Sequence, residues 1–283
     1  MKLLRYGPKG LEKPGVLDAD GAIRDLSGLV DDITGEVLAP RSLARLAALD
    51  PASLPKVAGA PRYGVPVKGV SKFIAVGLNF SDHAAESGMP VPDEPVLFTK
   101  AVSCLSGPYD DVIQPRGSSK LDWEVELGLV IGTTARYVVE AEAMDHLAGF
   151  VLVNDVSERA FQMERGGAWD KGKGCETFGP VGPWLVTPDE VGDFDALSMW
   201  LDVNDRRMQH GNTRTMIFKV PALISYISQF MTLLPGDVIT TGTPPGVGLG
   251  QKPHPVYLKV GDVMRLGIDK LGEQRQTVIA CPG

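Results

Sequence analysis

Asp122, Glu124 and Glu126 stand two residues apart in the segment LDWEVELGLVIG, residues 121–132. Read as a strand, its period of two puts Trp123, Val125, Leu127, Leu129 and Ile131 on one apolar face and the three acids on the other. Same-face neighbours lie roughly 7 Å apart along a strand. Carboxylates that close repel one another unless water or a cation neutralises them. The solvated outer face of a half-buried strand would account for the pattern, and so would a metal site. A further carboxylate, Asp155, stands at the end of the buried-type run FVLVN, residues 150–154. Aspartates in that position are mostly turn or cap residues, yet this one could complete an oxygen-ligand set with the acids of the first strand. The chain has no CxxC or HxxxH spacing, which disfavours zinc. Hard oxygen ligands suit Mg2+, Mn2+ or Ca2+. Three protein oxygens on an octahedral ion leave room for a 2-oxo carboxylate, whose keto group the ion would polarise.

A second pair could move protons. His83 and Glu86 lie three apart in NFSDHAAESG, residues 79–88. With Ser81 or Asp82 as cap they share one face of a short helix. A carboxylate beside an imidazole orients it and raises its basicity, as a general base requires. Gly88, Pro90 and Pro92 follow, so the helix would ride on a flap; an exposed helix with an incidental pair is the plainer alternative. The stretch GGAWDKGKGC, residues 166–175, carries Lys171 and Lys173 among glycines but no GKS or GKT. It is no P-loop, although a lysine there could hold a carboxylate or a developing enolate, if it is not simply solvated. The loop GTPPGVG, residues 242–248, offers amides and Thr243 to an anionic group.

The elements that must position these groups are mostly short strands. Met1–Tyr6, Gly15–Leu17 and Ala22–Asp25 read as strands, and Pro40 can open a helix through Leu49 with Leu43, Leu46 and Ala47 on one face. An Ala/Gly/Pro-rich linker runs to Pro66, so residues 1–66 are expected as a small separate domain and 67–283 as the catalytic one. Strands follow at Lys72–Gly77, Pro95–Lys100 and Phe150–Asn154. Between the last two, a helix is expected near Val139–His146, capped by Gly149. Ser157 is the expected cap of a helix at Glu158–Glu164, which carries Gln162. Asn204-Asp205 marks a hairpin. Ile224, Ile227, Phe230 and Met231 have the spacing of a core-facing helix, and the C-terminus is strand-rich.

Of 283 residues, 43% are hydrophobic and 22% charged, enough for a sizeable core. A net charge of -7 and a pI near 5.2 argue against nucleic-acid or anionic-membrane partners. Three cysteines without a CxxC pair, and no signal-like or membrane-length apolar run, point to a reduced, cytoplasmic protein.

Taken together, FIAVGLNFSDHAAE, PVLFTK, DWEVELGLVIG, VNDVSERAFQ, the Trp169–Lys173 loop, MIFKVPALISYIS and LLPGDVITTGTPPGVG resemble the fumarylacetoacetate hydrolase family, over residues from about 70 to 283. The resemblance implies an α+β fold: a mixed β-sandwich or β-roll catalytic domain with a small N-terminal domain, usually in a homodimer. It implies that Glu124, Glu126 and Asp155 bind Mg2+ or Mn2+ and that His83 and Glu86 form a catalytic dyad on a lid. Lys173 and Gln162 match residues that hold the oxo-acid end of a 2,4-dioxo acid, and Thr243 the one that meets its carboxylate. Including its opening residues, the chain is similar to bacterial hydrolases of 2,4-diketo-3-deoxy sugar acids of the rhamnonate or fuconate type.

Overall fold

The computed structural model describes residues 1–88 and 90–283. Its core is a nine-stranded mixed sheet. In spatial order the strands are Ile23–Asp25, Lys13–Leu17, Lys2–Tyr6, Leu185–Val186, Leu147–Asn154, Val125–Ile131, Val238–Thr240, Phe73–Gly77 and Val96–Lys100. Neighbours run antiparallel except Val238–Thr240 and Phe73–Gly77, which are parallel. A second, five-stranded sheet is built from Arg206–Asn212, Ser198–Val203, Val263–Ile268, Gly272–Ala280 and Val112–Gln114.

The two sheets share one apolar core, and polar side chains stitch them together. Gln209 Oε1 accepts from Val125 N at 3.0 Å. Asn154 Nδ2 donates to Gln276 Oε1 at 3.0 Å, and Gln274 Nε2 donates to Leu152 O at 2.8 Å. Buried amides need such partners, since an unpaired one costs the desolvation it suffers.

Most strands fall where the alternation puts them, but several expectations are corrected. The N-terminal strands join the central sheet through Leu3, which pairs with Leu185, and Leu3, Val16 and Leu26 belong to the shared core. Residues 139–146 form a 3-10 helix, Glu140–His146. Gly149 is not its cap but lies inside the strand Leu147–Asn154, at a bulge. Glu158, not Ser157, caps the helix Arg159–Met163; Ser157 pairs with Asp122 in a two-strand ladder. The helix that follows the hairpin is Val220–Ser228. It buries Ile224 and Ile227, but Phe230 lies beyond its end and is 63% exposed. No helix among the described residues is long and apolar enough to cross a membrane.

Candidate active site

The strand Val125–Ile131 is buried on both faces along its whole length, as expected of a strand covered from both sides. The alternative of a solvated acidic face on a half-buried strand therefore fails. The ladder also breaks at Trp123–Glu124, between Leu121–Asp122 and Val125–Ile131. Antiparallel pairing sets Val125 opposite Asn154 and Glu126 opposite Val153. One step further, Asp155 N donates to Glu124 O at 2.8 Å, so the strand-end aspartate meets the acidic strand at its break. Ligand atoms of Glu124, Glu126 and Asp155 all lie within 4.8 Å of one another. Asp122 takes another course: it accepts from Gly248 N at 2.6 Å, Leu249 N at 3.0 Å and Arg159 Nε at 2.8 Å.

Three buried cations answer these acids. Lys173 Nζ sits 2.7 Å from Glu124 Oε2 and 2.9 Å from Asp155 Oδ2. Lys100 Nζ reaches Asp155 Oδ1 at 2.5 Å and donates to Lys173 O. Arg159 donates to Glu124 Oε1 at 2.6 Å and to Gln162 Oε1 at 3.1 Å. Four carboxylates against three cations leave one negative charge in excess. It falls on Glu126, whose donors are neutral: the Thr240 hydroxyl and Gly242 N. Burial, then repulsion from Asp155 and Glu124, pushes the Glu126 carboxyl well above the ordinary range. For Glu124 burial acts the same way, but Lys173 and then Arg159 outweigh it and hold the group at about 2. For Lys173, burial is outweighed by Asp155 and Glu124, and its pKa is raised. A divalent cation fits this donor set, which is all oxygen and one charge short of neutral. Binding would change the excess from -1 to +1 and so favour an anionic substrate.

His83 lies on the helix Ser81–Ser87, whose N-cap is Phe80, with no side-chain cap from Ser81 or Asp82. Its Nδ1 is 3.1 Å from Glu86 Oε2, an arrangement that leaves Nε2 as the free base when Nδ1 carries the proton. The glycine loop was expected to cradle a ligand with its amides, yet its own acids occupy them. Gly242 N serves Glu126, Gly246 N serves Glu86 at 3.1 Å, and Gly248 N serves Asp122. Gly242 has φ +94, and a Cβ there would stand 3.0 Å from the Asn79 Cβ. Asn79 in turn ties the end of Phe73–Gly77 to Thr241 O and Phe218.

His83, Glu124, Glu126, Gln162, Lys173 and Thr243 line one cavity of ≈ 70 Å³, together with Arg159, Leu78 and Trp169. Asp155 sits behind this wall, with its oxygens on Lys100 and Lys173. Thr243 donates its hydroxyl to Val125 O and accepts from Gln209 Nε2. The sequence alone assigns no role to Lys100 or Arg159. The one available signal for Lys100 was a charge closing an apolar strand; it is 2% exposed.

A mixed-sheet enzyme fold with a buried acidic triad defines the class, and comparison defines the family. The model of the fumarylacetoacetate (FAA) hydrolase C-terminal region matches residues 72–279. A Burkholderia ambifaria protein, provisionally described as a hydrolase, is 63% identical over 98% of both chains. Among solved structures, a fumarylacetoacetate hydrolase from Exiguobacterium antarcticum superposes with a TM-score of 0.89 at 34% identity, covering 99% of this chain and 100% of its own. A maleylpyruvate hydrolase from Sphingobium sp. SYK-6, in complex with manganese(II) and pyruvate, gives 0.81 at 31% with both chains fully covered. A 2-hydroxyhepta-2,4-diene-1,7-dioate isomerase from Mycobacterium marinum gives 0.74 at 31%, again over both full chains. This chain belongs to the fumarylacetoacetate hydrolase family and has its fold.

Proposed function

We propose that the protein is a Mg2+- or Mn2+-dependent hydrolase. It cleaves the C3–C4 bond of a 2,4-dioxo acid, an acylpyruvate, to give pyruvate and a carboxylic acid. The observation that carries this is one cavity in which Glu124 and Glu126, backed by Asp155, share walls with His83, Lys173 and Gln162. When bound to the triad, the cation supplies a Lewis acid for the 2-oxo group. Lys173, Gln162 and Thr243 orient the oxo-acid end. His83, supported by Glu86, takes a proton from water, whose oxygen adds to C4. The C3–C4 bond then breaks, its electron pair passes to C3 as pyruvate enolate beside Lys173, and protonation of C3 releases pyruvate.

The similarity to sugar-acid hydrolases makes a 2,4-diketo-3-deoxy sugar acid one member of this class, with a hydroxy acid such as lactate as second product. The small molecule is the only partner the reading requires besides a second copy of the chain, as a homodimer in the cytoplasm. The M. marinum likeness favours a second reading, isomerisation with no attack of water.

The test is product analysis with acetylpyruvate, with and without Mg2+ or Mn2+. Metal-dependent release of pyruvate and acetate supports hydrolysis. An isomer, or carbon dioxide from oxaloacetate with acetylpyruvate left intact, would overturn it.

A further inference from the structure

Beside the cavity with the acids lies a second one of ≈ 350 Å³, within the roughly 300–1,000 Å³ of small-molecule pockets. Leu78, His83, Arg159, Gln162 and Trp169 line both, so His83 stands at the seam. The inner cavity is small and carries the acids and Lys173; the outer one is more apolar. Its further walls carry Met163, Val247 and Leu249, with Lys252. Of its charged groups, Arg159 is engaged by Asp122 and Glu124 and Glu86 by His83 and Gly246 N, which leaves Lys252 as the charged group open to a ligand.

Leu78 holds the left-handed backbone conformation, φ 52, which a leucine rarely adopts. Next to it, Gly77 makes room for Trp169: a Cβ there would lie 2.9 Å from the ring. Two apolar residues, Leu78 and Trp169, are thus set at the seam by the backbone of residues 77–78.

Resting on the hydrolase reading above, we infer that this outer cavity receives the acyl group beyond C4. We infer further that it selects an apolar acyl chain of several carbons over a hydroxylated one. With the oxo-acid end against Glu124, Glu126 and Lys173, and C4 within reach of His83, everything past C4 extends outward. There it meets Leu78, Met163, Trp169, Val247 and Leu249. Methylenes gain by leaving water against such walls, whereas each hydroxyl gives up its hydration for few available partners.

The test measures kcat/KM for acetyl-, butanoyl- and hexanoylpyruvate and for a 2,4-diketo-3-deoxy sugar acid of matching length, with Mn2+ present. The expected rise is about threefold to fourfold per added methylene, with the sugar acid at least tenfold below its apolar counterpart. Leu249→Asn and Met163→Thr, independently, are expected to lower the hexanoyl-to-acetyl ratio. A flat series, or the sugar acid as best substrate, overturns the inference while leaving the hydrolase reading in place. Cleavage of none of them strikes the hydrolase reading instead. Calorimetric Kd values for the same compounds with Mn2+ then still decide the outer cavity: tightening with chain length supports it, and equal affinities overturn it.

Discussion

Replacing Glu126 by Gln should stabilise the metal-free protein while destroying its response to metal. The Glu126 carboxylate faces two others within 4.8 Å. At an effective dielectric near 20, each such pair costs roughly 3.5 kcal/mol. Attraction to Lys173 offsets part of this, leaving on the order of 3 kcal/mol. An independent ceiling follows from protonation, because the carboxyl can always take up a proton instead. From its ordinary value of 4.5, doing so at pH 7 costs on the order of 3 kcal/mol. Gln keeps an oxygen for the Thr240 hydroxyl and Gly242 N and turns an amide toward the remaining acids. The gain at pH 7 should therefore approach 3 kcal/mol, a rise of roughly 5 °C in Tm for a chain of this size.

The sign with pH follows from the direction of the shift. A carboxyl raised in the folded state contributes its stability below pH 4.5 and loses it as pH climbs toward the raised value. The variant's advantage should thus vanish near pH 4.5 and open as pH rises. Glu124, held at about 2, acts oppositely: its contribution is present above pH 4.5 and is lost in both proteins as pH falls toward 2. The assay is urea unfolding in EDTA at pH 4.5, 6 and 7, repeated with Mn2+. At a hundredfold excess over Kd, a cation adds about 2.7 kcal/mol to wild type, and the variant should gain far less. If the variant is no more stable than wild type in EDTA at pH 7, Glu126 carries no uncompensated charge. If Mn2+ stabilises both equally, the triad is not the metal site.

Other substitutions separate the roles. His83→Ala should lose about 10² to 10⁴ in kcat and keep the Mn2+-induced rise in Tm; near-wild-type turnover would remove His83 from the chemistry. Lys173→Met leaves Glu124 and Asp155 short of a buried partner, which typically costs about 3–5 kcal/mol; metal-free urea melts should show that loss, and unchanged melts would refute the network. Gly242→Ala places a Cβ against Asn79 at positive φ and should cost about 1–3 kcal/mol. Because Gly242 N holds Glu126, Mn2+ affinity should fall with it, which calorimetry can check.

Local chemistry was legible in the chain. Alternation located strands such as Phe73–Gly77 and Val96–Lys100, because a strand's faces follow from its own sequence. Asn204-Asp205 forms the hairpin turn with φ 49 and 62, the positive angles that such a two-residue turn demands. The types of the site residues were legible too, since carboxylates that close together signal charge in need of a partner. Periodicity cannot report register between distant strands. The same pattern that grouped Asp122 with Glu124 and Glu126 left open which of them would join Asp155. Pairing of Val125 with Asn154 and the break at Trp123–Glu124 made that choice, sending Asp122 to Arg159 and the glycine loop. Lys100 is another case: 55 residues separate it from Asp155, and no local pattern marks an ion pair closed by packing. By itself the sequence determined which segments are strands and which groups could do chemistry. Only the tertiary structure decided which acids gather, which cations neutralise them and where an excess charge remains, because register and burial are properties of segments far apart in the chain.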